Sequence, residues 1–212
     1  MGESSGKNLR PLCEIAAVLV TGAAFLLFKA LAEGTLLFAV PCALLWGGYV
    51  IRRLRRRPSS RREWGVRLDN LRPASARCLP FLAVGALGIL AYRLAAGWTA
   101  LPASAVIVFV LYPAWALVQQ FFVQGLVAGN LRRLGASPAV IVPIAAVLFG
   151  LVHVPEWPLV ILCTAAGAVW TGLYLWTPNL IPLAVSHGWL GALAYYWLLG
   201  LDPWADVALG RL

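Results

Sequence analysis

The chain has only two histidines, His153 and His187, and both lie in stretches without a charged side chain, Leu134 to Pro155 and Trp157 to Leu201. An imidazole in such a setting can move a proton, hold an oxyanion or ligate a metal. A third charge-free stretch, Leu94 to Leu131, carries Gln119, Gln120 and Gln124. Gln120 and Gln124 are four residues apart and share one face of a helix. Glu156 follows His153 by three residues and is the carboxylate nearest these groups in sequence. Polar groups at membrane depth are costly, so each is a candidate for function. The plainer role for each is an interhelical hydrogen bond that holds a bundle together. Ser186 and His187 do not form a serine–base pair, because adjacent helical residues diverge by about 100°. Zinc at His153, His187 and Glu156 is chemically allowed, but the spacing does not select it, and neither a metal nor another cofactor is expected.

The elements that position these groups are membrane helices. Hydrophobic residues make up 61% of the 212 positions and charged residues 12%, whereas a soluble domain is about half apolar and a quarter charged. A spanning helix needs about 20 mostly apolar residues, and lipid selects helices because the backbone must satisfy its own hydrogen bonds. The expected fold is all-α, a polytopic bundle of about seven transmembrane helices. The spans run roughly 13–31, 35–51, 78–95, 102–131, 138–154, 159–176 and 181–199, with a turn at Gly34 and another at Thr177-Pro178-Asn179. The count becomes eight if the segment 94–131 splits, and Pro113 is a candidate kink within it. Residues 1–12 read as a polar, irregular tail. Residues 13–62 form an N-terminal hairpin with an Arg-rich segment, and 63–200 form the core, beginning with an interfacial stretch, Glu63 to Arg77. Residues 201–212 are a short tail. Glu14 and Lys29 lie near the ends of the first span, where long side chains can snorkel. Cys13, Cys42, Cys78 and Cys163 show no CxxC spacing and read as small apolar packing residues.

The net charge of +9 does not point to nucleic acid, because the excess sits beside helix ends and no soluble segment is long enough to make a basic face. Lys7, Arg10, the ten arginines from Arg52 to Arg77, Arg132 and Arg133 fall on one side of the predicted bundle, leaving Lys29, Arg93 and Arg211 on the other. The positive-inside rule then places the N-terminus in the cytoplasm. The expected location is the cell inner (plasma) membrane, and the expected partner is the lipid bilayer, with the arginines anchored on anionic headgroups.

The three polar groups occur in the order and setting of the CAAX prenyl protease and bacteriocin-processing (CPBP, or Abi) family of intramembrane proteases, which this sequence resembles over roughly Glu63 to Leu199. That family carries EExxxR on one helix, FxxxH on the next and HxxxN or HxxxD on a later one. Here the second motif is intact from Phe149 to His153, within FGLVHVPEWP. His187, in SHGWLG, resembles the third-motif histidine, but Gly191 stands where Asn or Asp is expected. The first motif reads Gln119-Gln120 and then Gln124, with glutamine in place of both glutamates and the arginine. The resemblance implies a site in which a first-motif glutamate activates water and the histidines stabilise the oxyanion. A neutral amide is not a proton acceptor, so a general-base contribution of about 10²–10⁴-fold is missing at Gln119 and Gln120.

Two functions follow from the resemblance. One is a family member with weak or lost peptidase activity that binds a membrane-associated peptide in an intramembrane polar cavity. The other is an active endopeptidase that uses Glu156, or a water held by glutamine and histidine. A small membrane transporter is a third reading, disfavoured by the lack of an internal repeat and of an evident intramembrane acid. In the first two, Gln119, Gln120, His153 and His187 line one cavity. Two imidazoles more than about 15 Å apart would be inconsistent with one compact pocket. Gly125, Gly150 and Gly188 would let the helices of the fourth, fifth and seventh spans approach closely.

Overall fold

The computed structural model describes residues 3–31 and 36–208, and these form helices and connecting turns without a β-strand. The helices are α1 (Glu3–Leu31), α2 (Leu36–Arg56), the single turn α3 (Ser60–Glu63), α4 (Leu71–Ala95), α5 (Ala105–Gln120), α6 (Gly129–Arg133), α7 (Pro138–Leu151), α8 (Trp157–Trp176), α9 (Leu180–Leu193) and α10 (Pro203–Ala208). A π-helical stretch, Phe121–Ala128, joins α5 to α6, and a second, Ala194–Leu198, extends α9. Five helical stretches are long and apolar enough to cross a membrane: α1, α2, α4, α8 and the continuous run from α5 through α6. α7 is a shorter apolar helix, and α9 with its extension occupies the place of the last expected span. The protein is therefore a polytopic helical membrane protein.

Several boundaries differ from the sequence reading. The 94–131 segment carries one helix, not two: residues after Ala96 form a loop, and the helix starts at Ala105. Pro113 lies inside α5 without ending it. α4 starts at Leu71, so the second half of the expected interfacial stretch already belongs to that helix. α1 starts at Glu3 rather than near Cys13. The turn placed at Gly34 lies outside the described residues.

Charge sorts the ends of the bundle. At one end Arg53 contacts the Glu63 carboxylate at 3.2 Å and Arg10 approaches it at 3.7 Å. There too Arg132 donates to the Leu175 carbonyl and the Arg77 guanidinium stacks 4.4 Å over the Trp176 ring. At the opposite end Lys29 meets Glu156 and Ser104 meets Asp202. Between them a buried core of Ile141, Ala145, Phe149, Trp170, Tyr174 and Leu183 ties α7, α8 and α9 together.

Candidate functional site

Two features at the start of α9 fix the helix that carries His187. Asn179 is buried and caps the helix by accepting from the Ile181 N–H at 3.0 Å. Its amide also donates to the Arg67 carbonyl and the Asn70 side chain, at 2.9 and 2.8 Å. α9 then lies against α5 at Gly188, where an added Cβ would stand 2.6 Å from the Pro113 backbone nitrogen. Only glycine fits that contact, because backbone cannot yield as a side-chain tip can. Gly150 does the same for α7 against α8, with an added Cβ 2.7 Å from the Val160 carbonyl. Gly125 faces the Trp64 carbonyl and Leu180 less tightly, at 3.3 and 3.6 Å. All three glycines mark close approaches, but Gly150 joins α7 to α8, which the sequence did not anticipate.

The His187 side chain is 5% exposed and walled by aromatic rings. Centroid distances are 4.7 Å to Trp170, 5.1 Å to Phe149 and 6.0 Å to Tyr112. The Trp170 indole N–H donates to the neighbouring Ser186 hydroxyl at 3.2 Å. His153 lies in the turn after α7, half-buried, with its ring 6.5 Å from the same Phe149. One phenyl ring therefore stands beside both imidazoles, and their separation cannot exceed those two distances, 5.1 and 6.5 Å, laid end to end. That is inside the limit of about 15 Å set for a shared pocket. α7 has 14 residues, about 20 Å at 1.5 Å per residue, against a hydrocarbon core of about 30 Å. α7 is thus shorter than the hydrocarbon core, and His153 follows its end.

Gln120 and Gln124 are fully buried, and Gln119 is half-buried. Among the described residues, neither amide of Gln120 or Gln124 has a hydrogen-bond partner at its oxygen or its nitrogen, and Nδ1 of His187 has none. Unpaired buried polar groups are rare and expensive, and five of the twelve such atoms among the described residues fall on motif positions of two packed helices. The π stretch begins at the residue after Gln120 and includes Gln124, whose carbonyl accepts from the Gly129 N–H five residues on. Such stretches are frequent at functional sites. The same stretch packs against α7 and α9, so the three motif-bearing helices converge.

Gly191 is filled from outside. A Cβ there would meet the Tyr112 ring at 2.8 Å. The Tyr112 phenol occupies the space into which an Asn or Asp at position 191 would project.

Glu156 is the N-cap residue of α8 and is exposed. Its carboxylate accepts from the Lys29 ammonium at 2.9 and 3.2 Å, and Lys29 also donates to the Val154 carbonyl at 3.2 Å. Burial pushes the Glu156 carboxyl up, but the Lys29 ammonium outweighs this and holds it below the usual carboxylate range. The carboxylate is engaged by α1. Among the described residues no three His, Cys, Asp or Glu side chains gather as a metal cluster.

A second polar centre was not read from the sequence. Glu14, expected to snorkel, is 4% exposed, because α1 packs there against α6 and the π stretch before it. Its carboxylate accepts from the Tyr49 hydroxyl and from the buried Asn130 amide at 2.7 Å. Asn130 in turn accepts from Arg133 at 2.6 Å. Arg10 and Arg53 lie 3.8 and 3.9 Å from Glu14. Asn130 was the one available signal, an amide between an apolar run and two arginines, but its partner is 116 residues away.

Two cavities open elsewhere. One, of about 520 Å³, is lined by Arg10, Tyr49, Arg52, Arg53, Arg56 and Arg57. The other is a groove of about 450 Å³ beside Val106, Phe109, Val110 and Trp189. Neither is lined by His153, His187 or the glutamines.

Residues 98–193 match the model of the family described as type II CAAX prenyl endopeptidase Rce1-like. The matched span contains all three motif positions and supports the resemblance read from them. No curated protein and no solved structure matches the chain.

Proposed function

Taking residues 98–193 as a type II CAAX prenyl endopeptidase-like region of a membrane protein, we propose that the chain binds a membrane-associated peptide at its motif residues and cleaves it weakly or not at all. The observation that carries this reading is the set of buried, unpartnered polar atoms at Gln120, Gln124 and His187. An extended peptide backbone offers carbonyl and N–H groups that would pair with them. Gln119, Gln120, Gln124, His153 and His187 form the binding set. The two imidazoles and the amides orient a carbonyl or a water, and none of the amides takes up a proton. The departures at Gln119, Gln120, Gln124 and Gly191 remove the base, its charge partner and the third-motif polar group together, and Tyr112 fills the last position. Such a protein would hold a membrane-bound chain as a chaperone or regulator in the plasma membrane, with its N-terminus and arginine-rich end in the cytoplasm.

The test is purified protein in liposomes against a peptide library, comparing the wild type with His153→Ala and Glu156→Gln. Binding without cleavage, lost in His153→Ala, is the expected result. Cleavage by the wild type that both substitutions abolish would overturn it and make Glu156 the base of a rewired endopeptidase.

A further inference from the structure

The cavity at the basic end is built from two helices. Tyr49, Arg52, Arg53 and Arg56 lie within two turns of α2, with Tyr49 three and four residues before Arg52 and Arg53, and Arg56 three and four residues after Arg53 and Arg52, which groups them on one side of the helix. Arg57 follows the helix end, and Arg10 closes the wall from α1. Their charges are unequally compensated. Arg10 and Arg53 share the Glu14 and Glu63 carboxylates, whereas Arg52, Arg56 and Arg57 make no ion pair with the described residues. Arg53 is 11% exposed, and its Nε, like that of Arg10, is buried without a hydrogen-bond partner. Like charges at i and i+4 on a helix repel, and Arg52 with Arg56 is such a pair, with the Arg57 charge directly after the helix end. An anion in the cavity would relieve that repulsion and accept from the free guanidinium donors in the forked geometry that suits phosphate.

We infer that this cavity is a discrete binding site for a phosphate-bearing anion, formed by Arg52, Arg56 and Arg57 over a floor of Arg53, Arg10 and Tyr49. The site is distinct from the histidine–glutamine site. It differs from diffuse attraction of a basic segment to an anionic leaflet, which any arginine at that end would supply. The cavity lies at the end of two membrane helices, so a lipid headgroup reaches it from the bilayer and a soluble phosphate from the water.

The experiment compares two charge-matched variants of the full chain in detergent, Arg52→Gln/Arg56→Gln in the cavity and Arg61→Gln/Arg72→Gln on exposed positions outside it. The probes are short-chain phosphatidylglycerol, short-chain phosphatidylcholine and inorganic phosphate, followed by titration calorimetry, with gel filtration reporting that both variants fold. The expected result is that the cavity variant loses phosphatidylglycerol affinity by about tenfold or more, the weight of one or two charge-assisted hydrogen bonds, while the control loses much less. Inorganic phosphate that binds the wild type as well as the lipid does, and is lost in the same variant, supports the site and assigns a soluble occupant. Equal losses in both variants, or equal binding of phosphatidylcholine, would overturn the inference.

Discussion

The Lys29 ammonium lies 2.9 Å from the Glu156 carboxylate and ties the far end of α1 to the turn that carries His153. The bridge joins residues 127 apart in sequence and gives the N-terminal helix a hold on the candidate site. Because the Glu156 carboxyl is held below its ordinary value, its contribution is complete above the usual carboxylate range. It is lost as pH falls through the lowered folded value. With half-exposed partners the effect is small, below about 1 kcal/mol. Thermal unfolding in detergent at stepped pH should show the wild type losing this increment on acidification and Glu156→Gln showing none. A variant that tracks the wild type across the whole range would remove the bridge from the account.

Glu14 should matter more than Glu156. Its substitution strands Asn130, Tyr49, Arg10 and Arg53 around an empty place. Breaking a buried charged network by removing one member costs about 3–5 kcal/mol. Glu14→Ala is expected to lower the unfolding temperature well beyond Glu156→Ala, and equal shifts would contradict the network.

Restoring the third-motif side chain should destabilise the protein. Gly191→Asn drives its Cβ against the Tyr112 ring, an overpacking cost of about 1–3 kcal/mol. Tyr112→Ala should relieve it, so the double variant should be more stable than the sum of the singles. Additive losses would mean that the ring does not occupy that space.

Restoring the first motif should do the opposite for chemistry. Gln119→Glu/Gln120→Glu supplies the missing proton acceptor, and peptidase activity should rise by up to about 10²-fold over the wild type, the low end of general-base catalysis. No gain in a folded variant that still binds peptide would show that more than the base has been lost.

Orientation is open to labelling. With the four native cysteines replaced, Ser59→Cys should be protected from a membrane-impermeant reagent on intact cells, and Thr99→Cys, in the loop before α5, should react. The reverse pattern would invert the bundle.

Much of the architecture was legible because hydropathy is local: charge-free runs gave the helices, and the arginines sorted to one end as expected. His153 and His187 were legible as a pair because two lone imidazoles among apolar residues have few other uses. What was hidden depends on partners far away in sequence. Tyr112 reads as one more aromatic residue until Gly191 is set beside it. Glu14 reads as a span-end residue until α1 is seen to begin at Glu3. Gln120 and Gln124 were placed on one face by α-helical spacing, but sequence gave no sign that the backbone leaves that spacing directly after Gln120.

The π stretch has a consequence for how one continuous helix serves two polar centres. A π stretch is an α-helix that has taken in an extra residue, and each extra residue turns everything beyond it by about 100° about the axis. Residues up to Gln120 keep the phase that sets α5 against α9, while Asn130, beyond the insertion, faces α1 and Glu14. Phe121–Ala128 therefore acts as a phase shifter. Removing one residue from it would leave the helix as apolar as before, yet would swing either the glutamines or Asn130 out of register with its partners.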